Sequence, residues 1–169
     1  VDPAMLEIAR GRLPGVPLHQ ADMADFDLGR GFDVILCLFG AIGYVRILSG
    51  LRCTLRTMRR HILPGGVLIL EPFLTPEAYR PGLIHAVFVD QPDLKLARMN
   101  IARLRGRLSI LDFHFQVATP GGVRHFVESH RLGLFTHEEY LHAIRAAGLD
   151  VSHDPTGLTG RGLYVGVNG

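Results

Sequence analysis

Two rhythms of apolar and polar positions divide this sequence. Over the first seventy residues or so the spacing alternates between helical periods and short apolar runs. Met5, Ile8, Ala9 and Leu13 share one helical face behind Asp2-Pro3, a preferred cap followed by a favoured first-turn residue, and Pro14-Gly15 ends the helix. Val16–Gln20 reads as a short strand that runs out on Ala21-Asp22-Met23. Phe32–Leu38 is a continuous apolar run, as expected of a strand buried on both faces, and it exits on Phe39-Gly40-Ala41. Leu48, Leu51, Leu55, Met58 and Ile62 restore the 3.6-residue period of a helix, which Leu63-Pro64-Gly65-Gly66 breaks. Val67–Leu70 is a further buried strand, ending on Glu71-Pro72. Helix, strand, strand, helix, strand, with parallel-type apolar strands, predicts a doubly wound α/β sheet.

Between about Ile84 and Leu134 the period falls to two. Strands are predicted near His85–Asp90, Lys95–Arg103, Arg107–Ala118 and Val123–Leu134, with turns at Gln91-Pro92-Asp93, Gly106 and Pro120-Gly121-Gly122. Connections this short require antiparallel pairing. The segment reads as an inserted sheet laid over the strand-end face, either a lid or the surface of a homodimer. Thr136 and Glu139 then form a capping box, and the helix carrying Tyr140, Leu141, Ile144 and Ala147 stops at Gly148. Leu149–Ser152 and Leu163–Val167 are predicted strands flanking the loop at 155–162. The expected division is therefore 1–83 for an α/β core, 84–134 for the insertion and 135–169 for the completion of the core.

Ligands of open α/β sheets sit beyond the carboxyl ends of the strands. Two strand ends here, Asp22-Met23 and Leu38-Phe39, combine an acid, a backbone N–H and an apolar rim, which suits an adenine ring. Asp22, Asp25 and Asp27 lie close together but lack the strict spacing of an oxygen-ligand cage, so only Asp22 is a candidate site residue. The formal net charge is +2 and no basic run occurs, so no nucleic-acid footprint is expected. Cys37 and Cys53 read as small buried hydrophobes rather than a disulfide or a nucleophile. No run is long enough to span a membrane, no secretory signal is present, and the expected compartment is the cytoplasm. His114, His125 and His130 fall on the inserted strands without a zinc-type spacing and are expected to be surface or hydrogen-bonded sheet histidines. The chain opens at Val1 inside what reads as a structural unit, so further elements are expected upstream.

In their order and spacing, DPAMLEIAR at 2–10, HQADMADF at 19–26, FDVILCLFGAIGYV at 32–45 and LPGGVLILEP at 63–72 resemble class I S-adenosylmethionine-dependent methyltransferases. DFHFQVATPGGVRHF at 112–126, ESHRLGLFTHEEYLHAIRAAGLDV at 128–151 and TGRGLYVGV at 159–167 are similar to the N,N-dimethyltransferases of nucleotide-linked amino sugars, which serve antibiotic biosynthesis. The resemblance implies a Rossmann-like sheet, truncated at its N-terminus, with the antiparallel insertion between the fifth strand and the last helix. It implies S-adenosylmethionine as cofactor, bound at Asp22, Met23 and Leu38, and Tyr44 as the catalytic position beside the substrate amine. It implies substrate contacts at Phe73, where the family usually has tryptophan, and at Arg98 and Arg161, toward the nucleotide of a dTDP-linked amino sugar. The family's glycine-rich cofactor loop and its ribose-binding acid are not matched within the chain; Asp2 fits better as the helix cap than as that acid. Two other readings stand beside this one: a methyltransferase for a different small acceptor, suggested by Phe73-Leu74 in place of an aromatic pair, and a non-catalytic nucleotide-binding or interaction module.

Overall fold

The computed structural model describes residues 3–169, so the Asp2 cap lies outside the described residues. Two four-stranded sheets form, each matching one of the two sequence rhythms. The first contains β1 (Phe32–Cys37), β2 (Ile62–Leu70), β7 (Asp150–Asp154) and β8 (Leu163–Val167), in the order β1-β2-β8-β7. β1 and β2 run parallel, with Val34 opposite Val67 and Cys37 opposite Leu70. β8 is antiparallel to both β2 and β7.

The helix α2 (Leu48–Arg60) and the helix α3 (His137–Ala146) supply the apolar stripes that cover this sheet. Leu51 and Leu55 of α2, Tyr140 and Ile144 of α3, and Leu68, Leu70 and Tyr164 of the strands are fully or almost fully buried together. The α3 capping box is formed as expected: Glu139 N–H donates to Thr136 Oγ1, and Thr136 N–H donates to the Glu139 carboxylate. Arg107 reaches the same carboxylate and also donates to the Leu134 carbonyl at 2.8 Å, tying the second sheet to this helix start.

Five sequence expectations are corrected. Val16–Gln20 is extended but is no strand, because no neighbouring strand among the described residues offers it a ladder. β1 is not buried on both faces: Val34 is 50% and Leu36 58% exposed, since nothing among the described residues covers that side. The same applies to α1 (Pro3–Arg12), whose Met5 and Ile8 are exposed. The Leu63-Pro64-Gly65-Gly66 breaker lies inside β2, where the pairing with β1 slips between Phe32 and Val34 and absorbs the extra residues. Cys37 is buried, but Cys53 is only half-buried, on the outer side of α2 beside Arg56.

The second sheet is the predicted antiparallel meander: β3 (Ile84–Gln91), β4 (Leu94–Arg105), β5 (Leu108–Thr119) and β6 (Gly122–Gly133). Its base is built around Tyr79, Ala102 and Leu134, with Phe73, Leu74 and Leu111 against them. Tyr79 is held by donating to the Arg103 carbonyl at 3.0 Å and accepting from Ser109 at 2.9 Å.

The sheets meet where the end of β6 crosses a 3-10 helix, Ala41–Val45, which follows β1 and was not expected from the sequence. Backbone passes backbone there. A Cβ on Gly133 would lie 2.7 Å from the Arg46 carbonyl oxygen, and one on Gly43 would lie 3.1 Å from Leu132 Cβ. Gly133→Ala is therefore expected to destabilise the protein by about 1–3 kcal/mol, because rigid backbone has to move. Thermal unfolding checks this; an unchanged Tm would show that the crossing is not tight.

Candidate functional site

The loop at 21–28 is fastened to α2 from below. Met23 and Phe26 pack against the first core. Thr57 Oγ1 donates to the Ala24 carbonyl at 2.9 Å, and Leu28 N–H donates to His61 Nε2 at 3.1 Å. Asp22 folds its own turn by accepting from Ala24 N–H at 2.9 Å. The turn is thus presented on a fixed base, with the Asp22 side chain exposed above it.

Next to this turn lies a cavity of about 650 Å³. Asp22 and Met23 form one wall, Tyr44 and Arg46 another, and Ser129 and Arg131 of β6 a third. The structure therefore brings Asp22, Met23 and Tyr44 together. Among the described residues, Leu38 lines neither this cavity nor the second one described below; it is half-buried at the end of β1, where its carbonyl accepts from Ala41 N–H at 3.2 Å. The far wall is the end of the 3-10 helix rather than the exit of β1. The reason lies in the backbone: Phe39 and Gly40 take left-handed conformations, φ 55° and 69°, which swing the chain away from the strand direction and into that helix. Phe39 is left 76% exposed.

A second cavity of about 400 Å³ opens against the inner face of the second sheet. Phe73, Arg98 and Arg161 all line it, with Tyr79, Arg80 and Phe113. Arg98 is not on an exposed face, as its strand position alone would allow: its guanidinium carbon lies 4.9 Å from the centre of the Phe113 ring and the residue is half-buried. Arg161 approaches Phe73 at 5.9 Å. The cavities are neighbours, since Phe73 packs against Gly43 and Tyr44 follows it.

Several residues that sequence reasoning did not assign hold this arrangement together. Glu71, at the end of β2, is fully buried. Its carboxylate accepts from Phe39 N–H at 2.6 Å and from the Thr159 hydroxyl. The Thr159 hydrogen bond draws its pKa below the ordinary value of 4.5; desolvation opposes this, and the Phe39 N–H and the Arg161 charge assist. Only its place at a strand end marked Glu71 in the sequence. His130 accepts or donates a hydrogen bond at 2.6 Å with the Tyr44 hydroxyl, a contact set by the register of β6 and invisible without it. No three His, Cys, Asp or Glu side chains among the described residues are grouped to hold a metal ion.

Comparison with known proteins identifies the fold and the family. No protein-family model matches the chain. It is 40% identical over 164 residues to dTDP-4-amino-2,3,4,6-tetradeoxy-D-glucose N,N-dimethyltransferase of Saccharopolyspora spinosa, a match that takes in 97% of this chain and 66% of that protein. It is 41% identical over 164 residues to dTDP-3-amino-3,4,6-trideoxy-alpha-D-glucopyranose N,N-dimethyltransferase of Streptomyces venezuelae, covering 96% of this chain and 69% of that one. Among solved structures, Streptomyces venezuelae DesVI superposes with a TM-score of 0.94 at 40% identity, over 99% of this chain and 72% of that one. SAM-bound CalS10, an amino pentose methyltransferase from Micromonospora echinaspora, superposes with a TM-score of 0.89 at 38% identity, over 100% and 72%.

The chain belongs to the dTDP-amino-sugar N,N-dimethyltransferases. It spans about two thirds of the length of these curated relatives. The fold is accordingly the Rossmann-like methyltransferase fold with an antiparallel insertion. The joint formed by Glu71 is open to a direct test. A carboxylate with a depressed folded pKa contributes stability that is complete above its unfolded value and lost as pH falls through the folded one. Thr159→Val removes the largest cause of the depression. The variant is expected to show a shallower loss of stability below about pH 4.5 than the wild type, by denaturant unfolding across pH. Identical acid limbs would refute the role given to that hydrogen bond.

Proposed function

We propose that this protein transfers methyl groups from S-adenosylmethionine to the amine of a dTDP-linked deoxyamino sugar. The observation that carries the reading is the pair of adjoining cavities, one with an acid, a backbone turn, a phenol and two arginines, the other with three arginines and several aromatic rings. The names of the relatives support the same substrate class.

The first cavity fits the cofactor's nucleoside in size and donor set. Cavities of a few hundred cubic ångströms hold ligands of that class. Asp22 would accept from an adenine amine, and the Met23 backbone would meet the ring edge. When bound, S-adenosylmethionine supplies a sulfonium methyl to a neutral amine, and the C–S electron pair leaves with sulfur. The chain's own residues supply approach and orientation, which suffice for a good nucleophile. Tyr44 faces this cavity, and its phenol has a raised pKa because it is desolvated and because Glu128 is near. It therefore acts as a neutral hydrogen-bonding group rather than as a phenolate.

In the second cavity, Arg98 and Arg161 offer two guanidinium forks to a diphosphate. Phe73, Tyr79 and Phe113 offer aromatic surface to the base and to the deoxygenated sugar. The segment 84–134 is proposed to serve as the lid, since its inner face closes this cavity and its last strand walls the first.

Mass spectrometry of a dTDP-linked amino sugar incubated with protein and cofactor should show methyl additions; none with any such amine would overturn the proposal. Arg161→Ala is expected to raise KM for the sugar nucleotide about 10- to 100-fold, the scale of a lost charged hydrogen bond, with cofactor affinity unchanged. Asp22→Ala is expected to do the reverse, weakening cofactor binding by calorimetry and leaving KM for the sugar nucleotide in place.

A further inference from the structure

We propose that His130, backed by Glu128, is a positioning residue for Tyr44, fixing the phenol so that it shows the substrate amine an acceptor and not a donor. The inference deepens the reading above and rests on it for the identity of the amine. It starts from the register of β6. His130 lies opposite Leu111 and Glu128 opposite Phe113, and the period of two puts both on the inner face of the second sheet. Leu132, two residues further on, is the side chain that packs on Gly43. The crossing that joins the two sheets therefore also carries His130 to Tyr44.

The contact is short and its partner is held from three sides. Tyr44 Oη and His130 Nδ1 are 2.6 Å apart. The other ring nitrogen, Nε2, lies 3.7 Å from a Glu128 carboxylate oxygen. Phe113 meets the imidazole edge-on, 5.1 Å between centres, while Tyr44 meets it at 6.0 Å and 61°. Arg98, whose guanidinium carbon lies 4.9 Å from the centre of the Phe113 ring, extends the chain of contacts into the second cavity.

The proton arrangement follows from these neighbours. A carboxylate beside Nε2 favours the tautomer with hydrogen on Nε2. Nδ1 is then an acceptor, and the phenol, which is neutral, donates its one hydrogen to it. With that hydrogen committed, Tyr44 Oη turns only lone pairs toward the cavity. A primary or secondary amine can donate an N–H to them, which aims its own lone pair elsewhere. Methyl transfer leaves the nitrogen as an ammonium, whose N–H the same lone pairs accept until its proton passes to solvent. Without His130 the hydroxyl would rotate and compete for the amine lone pair.

The test has two arms, both on the full chain. In the first, histidine is labelled with ¹⁵N, and the His130 signals are identified by their loss in His130→Gln. Tyr44→Phe should move the His130 Nδ1 resonance toward that of an imidazole nitrogen free of a hydrogen bond; an unmoved resonance overturns the proposal, and this holds whatever the protein methylates. In the second, His130→Phe should lower kcat for methylation of a dTDP-linked amino sugar about tenfold or more, as misoriented reactants do, with KM and cofactor affinity within about twofold. His130→Gln, whose side-chain oxygen can accept the phenol hydrogen, should recover most of the lost rate. An unchanged kcat in His130→Phe, or a loss shared equally by both variants, overturns the positioning role. If the wild type methylates no amino sugar, the functional reading falls, and the first arm still decides the Tyr44–His130 contact.

Discussion

One buried carboxylate ties together three pieces of chain at the end of the first sheet. Glu71 ends β2, holds the Phe39 N–H at the exit of β1, and takes the Thr159 hydroxyl from the loop that carries Arg161. A buried carboxylate is costly unless its oxygens are satisfied, and here both are used. The same bond to Phe39 steadies a residue whose φ of 55° is unfavourable for any side chain. At Gly40, next in line, no other residue would serve. Its φ is also positive, and a Cβ would stand 3.2 Å from both Arg161 Nη1 and Phe73 Cα. The left-handed pair is what bends the chain out of the sheet and into the 3-10 helix. Every later feature of the site depends on that bend: the Tyr44 wall, the Gly43 crossing and the approach of Phe73.

The second sheet adds the other constraint. Its inner face holds Arg98, Phe113 and His130 because their strands are paired in one register, and a slip of one residue would turn all three outward. Arg107 pins that register against the body by gripping both the Leu134 carbonyl and the Glu139 carboxylate that caps α3. Glu139 has a lowered pKa, chiefly through its hydrogen bonds with Arg107, with the Thr136 N–H assisting. The fold thus uses two carboxylates as joints, one within the first sheet and one between the sheets.

Much of this was legible along the chain. The period-two strands between 84 and 134 emerged within a few residues of their ends, because alternation and Gly-containing turns report directly on an antiparallel meander. The α3 capping box and β8 were equally direct, since both depend on neighbours in sequence. Val16–Gln20 is extended but no strand because a short extended stretch becomes a strand only if another strand pairs with it, and propensity cannot supply the partner. The 3-10 helix was missed because positive φ at a phenylalanine has no sequence signal. Asp22 and Met23 could be selected from their place at a strand end and Tyr44 by family resemblance, but the meeting of the three could not. His130 and Glu71 act through contacts 86, 32 and 88 residues away along the chain, a distance over which sequence pattern says nothing.

The arrangement divides labour between charge and orientation. Arg98 and Arg161 lie in the second cavity, where they would grip a diphosphate, and the first cavity, which Arg46 and Arg131 also line, presents a phenol that is neutral at working pH. Grip on a remote group is useful to catalysis only if it is converted into alignment at the reacting atom. A connected path for that conversion exists here: Arg98 on Phe113, Phe113 on His130, His130 on Tyr44. Each link is a packed ring or a hydrogen bond held within a paired strand or against it, so displacement at one end has few soft places in which to dissipate. On the proposed reading, an amine seated on Tyr44 would be located relative to the same sheet face that would hold its nucleotide, so the fold would order the two groups before the substrate arrives.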